Sequence, residues 1–182
     1  MSHFATIKTA LTSKECLIQG LKQALEKKGI LLEINVASTT AKTKKDDESH
    51  YIKVVEHPER LVNEFDKNDK KYAEVIISRK ALSTESYQSL VDVGYLWNQT
   101  TSQFELQLDR YDFRLNRLGA AFGKLENFNN AVQLEHDKIR LYEELRVNYP
   151  TTEWDYSEEV ISKDGIITLD ITKKPKLVEA WY

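Results

Sequence analysis

The 182-residue sequence predicts an α+β fold: a mainly antiparallel sheet packed against an N-terminal helix and a long second helix that carries a weak point. Three patterns point there. A short apolar strand runs into a capped, leucine-rich helix; two central segments alternate apolar and polar residues across a polar turn; and a helical apolar period extends over 113–149.

Residues 3–9 read as the opening strand, with Phe4 and Ile7 as buried candidates. Thr12-Ser13-Lys14-Glu15 then supplies a capping box for a helix over about 13–28. Leu17, Ile18, Leu21, Ala24 and Leu25 share one face of it, and Gly29 suits its left-handed cap. A second strand is expected over 30–36. The stretch 37–49 offers no large apolar residue to bury and reads as a polar, mobile loop. Segment 51–55 reads as a strand, and Pro58 is placed to open a short helix through Leu61, Val62 and Phe65.

The middle of the chain is the best-patterned β region, with strands expected over 72–78, 91–97 and 104–108 and a hairpin turn at 98–102. Phe104, Leu106 and Leu108 alternate with Glu105 and Gln107, so one face is buried and the other meets solvent. Gly94 marks a bulge or a close approach. The long helix over 113–149 is expected to bend or split at 126–130, where Asn127, Asn129 and Asn130 lower helix propensity, and Pro150 ends it. A hairpin over 159–171 turns at Asp164-Gly165. The tail at 173–182 is loosely attached and offers Trp181 and Tyr182 for docking.

Composition sets the outer bounds. With 41% hydrophobic and 10% aromatic residues the chain can build a real core, and one domain covering 1–182 is the expectation. A net charge of -3 disfavours a general nucleic-acid binder, although residues 1–45 hold eight Lys against three Glu. A solvated, lysine-rich surface accounts for that excess. The single Cys16 fits a reducing compartment, and no apolar run approaches the roughly 18 residues of a bilayer span. A fold that begins at residue 4 leads to the expectation of an unprocessed cytoplasmic protein with no membrane association.

No motif names a reaction. Gly119-Ala120-Ala121-Phe122-Gly123-Lys124-Leu125 lacks both the glycine spacing and the hydroxyl of a phosphate loop, and is read as a smooth helix face for close packing. His3, His50, His57 and His136 include no pair at helical metal-binding spacing, and neither a metal nor a cofactor is expected. Cys16 borders the apolar helix face and reads as an inert buried thiol. Asp92, Glu105 and Asp109 with Tyr95 and Trp97 form the one cluster in which paired carboxylates and aromatics could serve a ligand or general acid and base chemistry.

Two segments resemble a known family. Met1-Ser2-His3-Phe4-Ala5-Thr6-Ile7-Lys8-Thr9 before a leucine-rich helix, and Asp92-Val93-Gly94-Tyr95-Leu96-Trp97-Asn98 with Phe104-Glu105-Leu106 and Asp109, resemble the hypothetical chloroplast reading frame thirty-five family of cyanobacteria, plastids and other bacteria. The resemblance implies no catalytic residues. It implies a context in which some bacterial members look like products of operons that also encode an AAA-type ATPase and a ferredoxin, hence an accessory or adaptor role with that ATPase as candidate partner. The leading expectation is a noncatalytic protein-binding subunit using the central hairpin or the tail aromatics Trp181 and Tyr182. The alternative is a small-ligand protein or enzyme built on Asp92, Tyr95, Trp97, Glu105 and Asp109.

Overall fold

A computed structural model describes residues 3–37, 48–163 and 166–175. The chain forms two compact units, Met1–His136 and Asp137–Tyr182, where composition alone leads to an expectation of one. In chain order the elements are β1 (Phe4–Lys8), α1 (Lys14–Glu26), β2 (Glu33–Ala37), a 3-10 turn (Glu48–His50), β3 (Tyr51–Arg60), β4 (Tyr72–Ile77), α2 (Arg79–Leu82), β5 (Val93–Asn98), β6 (Gln103–Asp109), α3 (Arg110–Leu115), α4 (Arg117–Phe122) and α5 (Leu125–Asn148). Four short strands follow: β7 (Trp154–Tyr156), β8 (Val160–Ile161), β9 (Ile167–Thr168) and β10 (Ile171–Lys173).

The first unit is built on a six-stranded sheet in the order β1-β6-β5-β4-β3-β2, antiparallel throughout except where β2 runs parallel to β3. The fold is α+β. Register places Tyr95 opposite Leu106 and Trp97 opposite Phe104, so the alternation read from the sequence becomes one continuous apolar face. Leu17, Leu21 and Leu25 of α1 sit fully buried with Ile52, Val75, Tyr95 and Leu106, joined by Leu118 and Phe122 of α4 and Phe128 and Val132 of α5. Each such leucine contributes roughly 1.5–3 kcal/mol by burial, which is why a helix of 13 residues holds its place. A smaller cluster of Phe4, Leu61, Ala73, Ile76 and Val91 lies apart from this core.

α1 begins at Ser13, whose hydroxyl accepts from the Cys16 amide, and ends before Gly29 at φ 75°. Ser13 rather than Thr12 is therefore the cap, which puts Glu15 too early in the helix to close a reciprocal box. Gly20 is where α1 touches α5: a Cβ there would lie 2.7 Å from the His136 backbone nitrogen and 3.2 Å from the Glu135 carbonyl carbon. At the same crossing His136 is wholly buried, and its Nε2 accepts from the Thr12 and Ser13 amides, each at 3.3 Å.

Several local expectations are corrected. Pro58 opens no helix; it lies in β3, which runs on to Arg60. The register with β4 slips between Val54 and Glu59, so a residue without an N–H is tolerated there. Leu61 and Val62 then bend because their amides are taken by the Lys71 carbonyl and the Asp92 carboxylate. The long helix does break, but at Asn116 and Gly123 and not at 126–130. Asn116 caps α4 by accepting from the Leu118 and Gly119 amides, and Gly123 at φ 73° ends it. Asn129 and Asn130 stay within α5 because Phe128 and Val132 beside them are buried, and packing outweighs a few tenths of a kcal/mol of propensity. Of the two glycines in 119–123, only Gly119 serves close packing, since a Cβ would lie 2.1 Å from the Phe113 carbonyl oxygen.

In the second unit β7 pairs with β10 and β8 with β9. The expected hairpin is thus shorter than its sequence pattern, with Ile171 paired to Tyr156 instead of within it. Tyr149 and Trp154 meet edge to face at 5.2 Å, and Lys138 bonds Glu159. Most of the polar loop, at 38–47, the Asp164-Gly165 turn, and Trp181 and Tyr182 lie outside the described residues.

Candidate functional site

The residues singled out on the central hairpin do structural work in separate places. The Asp92 carboxylate accepts from the Val62 and Arg79 amides, each at 2.8 Å, tying the bend after β3 to the first turn of α2. Asp109 is the N-cap of α3, accepting from the Tyr111 and Asp112 amides at 2.8 Å. Glu105 accepts from the Asn98 side chain at 2.8 Å across the hairpin. Tyr95 is fully buried, and burial holds its hydroxyl above the ordinary tyrosine range; that hydroxyl has no hydrogen-bond partner among the described residues. Trp97 stacks edge-on against Phe104 at 5.0 Å, and its amide donates to Glu74, which also bonds Lys14 of α1.

Pleating puts Tyr95 and Trp97 on the helix-covered face and Glu105 and Asp109 on the alternate positions of β6. Each of the three carboxylates is engaged by its own donors: Asp92 by the Val62 and Arg79 amides, Glu105 by the Asn98 side chain and Asp109 by the Tyr111 and Asp112 amides. Among the described residues there is no group of three His, Cys, Asp or Glu side chains placed to hold a metal, and Cys16 is buried. No helix among those residues is long and apolar enough to cross a membrane.

A densely bonded buried carboxylate belongs to a residue that the sequence pattern did not single out. Asp112, 1% exposed, accepts from the Tyr87 hydroxyl at 2.9 Å, the Ser89 hydroxyl at 2.6 Å, the Leu90 amide at 3.0 Å and the Asn116 side chain at 3.1 Å. Burial, and then this bond to Asp112, hold the Tyr87 proton above the ordinary range. The signal lay in Asp109 and Asn116, spaced as caps on two short successive helices, with Asp112 in the first turn between them.

This anchorage decides what α3 shows to solvent. With Asp112 and Phe113 held inward, the six-residue helix must turn Arg110, Tyr111, Arg114 and Leu115 outward. Tyr111 is 59% exposed and Leu115 41%, four residues apart on one stripe, and Phe65, 42% exposed, meets the Tyr111 ring edge-on at 6.4 Å. Arg110 and Arg114 form the neighbouring stripe. They line a cleft of about 160 Å³ with Phe113, Lys124, Leu125 and Glu126. Among the described residues Arg110, Arg114 and Lys124 take part in no ion pair. An apolar strip beside uncompensated cations can bind a segment that brings both apolar side chains and negative charge.

Comparison with known proteins gives no match: no family model, no curated protein and no solved structure matches the chain.

Proposed function

We propose that this chain is a noncatalytic accessory protein that binds an acidic, apolar-anchored segment of a protein partner through the outer face of α3. The exposed Phe65, Tyr111 and Leu115 strip beside Arg110 and Arg114 carries this reading. Aromatic and arginine side chains are the residues in which binding energy concentrates at protein interfaces. The buried carboxylates supply a second support: Asp92, Asp109 and Asp112 are each engaged by backbone or side-chain donors that hold the fold, which leaves charge recognition to the surface. The partner's acidity follows from charge complementarity with the two arginines. A cytoplasmic setting, which the single Cys16 suits, and an AAA-type ATPase as the partner, which the resemblance to the plastid and cyanobacterial family implies, belong to this proposal.

Selection of a displayed random-peptide library against the folded chain tests the reading. The expected winners combine Asp or Glu with Leu, Phe or Trp, and lose binding to Tyr111→Ser and Phe65→Ser variants. Winners that bind those variants as well as the parent, or no enrichment, would overturn it.

A further inference from the structure

We infer that the cleft between α3 and the start of α5 is a phosphoryl-binding site, and that its occupant is a phosphorylated side chain of the segment docked on Tyr111 and Leu115. The inference rests on the binding surface proposed above and adds the chemistry of the group that it recognises.

Charge arithmetic favours a dianion. Arg110, Arg114 and Lys124 bring three positive charges to the rim and Glu126 one negative, a balance of two positive. A carboxylate brings one negative charge, whereas a phosphoryl group near neutral pH carries about -1.5 to -2. The dianion matches that balance and the carboxylate leaves half of it standing.

Geometry agrees. Arg110 and Arg114 lie four residues apart on α3, so their guanidinium groups leave the helix side by side. Like charges at that spacing oppose helix formation in the unliganded chain, and an anion between them reverses the sign of the effect. The planar guanidinium presents paired donors suited to phosphate oxygens, and two of them with one ammonium can surround a tetrahedral group. The cleft of about 160 Å³ exceeds by far the roughly 10–15 Å³ that one water requires, so an oxyanion and residual hydration fit. Phe113 lines one wall with apolar surface.

Position selects the source of the phosphoryl group. The cationic stripe of Arg110 and Arg114 runs directly beside the apolar stripe of Tyr111 and Leu115 on the same two turns. A segment lying along α3 with an apolar side chain on Tyr111 therefore delivers a neighbouring side chain to the cleft. Phosphorylation of that side chain would then switch docking on.

Titration by two-dimensional NMR of the full chain at constant ionic strength tests this, with N-acetyl-O-phosphoserine amide, N-acetylaspartate amide and inorganic phosphate as probes. The expected result is saturable shifts for the phosphoserine amide at the Gly123 and Lys124 amides and the Arg110 and Arg114 side chains. Its affinity should exceed those of both other probes, and Arg114→Gln, on an exposed side chain, should weaken it about tenfold or more, the loss of one charge-assisted contact. Tyr111→Ser should leave this binding unchanged while abolishing docking of the selected peptides, so the two proposals fail separately. No saturable shift, equal affinity for the aspartate amide, preference for inorganic phosphate, or indifference to Arg114→Gln would each overturn the assignment.

Discussion

Gly20→Ala puts the sign of a mutation at stake. In a solvent-exposed helix the change stabilises by about 1 kcal/mol, because alanine loses less backbone entropy. Here the new Cβ would stand 2.7 Å from the His136 nitrogen and 3.1 Å from its Cα. Ordinary contact begins near 3.4 Å, so α1 must move away from α5 by about 0.7 Å. Both neighbours are backbone and cannot rotate aside. Overpacking of this kind costs about 1–3 kcal/mol. The same movement stretches the bonds from the Thr12 and Ser13 amides to His136, already at 3.3 Å, and each lost bond adds about 0.5–1.5 kcal/mol. With both bonds lost and the propensity gain subtracted, the variant should be less stable by about 1–5 kcal/mol. Urea unfolding followed by far-ultraviolet circular dichroism measures it. Unchanged or increased stability would refute the close crossing of α1 and α5.

Asp112→Ala should destabilise by about 3 kcal/mol or more in the same assay, since it strands the Tyr87 and Ser89 hydroxyls, the Leu90 amide and the Asn116 side chain; a loss below about 1 kcal/mol would mean that water replaces the carboxylate. Tyr95→Phe should stabilise by about 1–3 kcal/mol at neutral pH, because it removes a buried hydroxyl that has no partner among the described residues; destabilisation would show that the hydroxyl is bonded. The Tyr95 pKa is raised by burial, so above about pH 10 the unfolded chain releases a proton that the folded chain retains, and stability falls as pH rises, by about 1.4 kcal/mol per unit for this group. Unfolding measured between pH 9 and 11 should therefore show a shallower alkaline loss in Tyr95→Phe than in the parent, and equal slopes would contradict the shift. Tyr111→Ser, at an exposed position outside the core, should change stability by no more than about 0.5 kcal/mol while removing partner binding.

What could be read from sequence followed the range of the forces involved. The helix α1 and the hairpin of β5 and β6 were legible because burial writes a period into neighbouring residues: Leu17, Leu21 and Leu25 on one, and Phe104, Leu106 and Leu108 on the other. The end of β3 was not, because what bends the chain at Val62 is a carboxylate 30 residues away, at Asp92, and what admits Pro58 to the strand is a register slip against β4. The helix break was anticipated from asparagine composition and placed wrongly, since Asn116 acts as a cap and Asn129 and Asn130 are held by the burial of their neighbours. Asp92 and Asp109 looked like candidate ligand groups; their amide partners became visible only once the chain had folded. The outward face of α3 was hidden for the opposite reason. Tyr111 and Leu115 look like core residues until Asp112 is seen to fix the helix with its other side inward.

A photoreactive residue placed at Leu115, on the proposed docking strip, and in a second variant at Val36, more open to solvent on the edge strand β2, tests the central claim most directly. After irradiation in the native cell, the account predicts one dominant protein adduct from position 115, none from 36, with the attachment mapped by mass spectrometry to an acidic segment and suppressed by Arg114→Gln. Adducts from position 36 alone, from both positions equally, or to segments without acidic residues would contradict it.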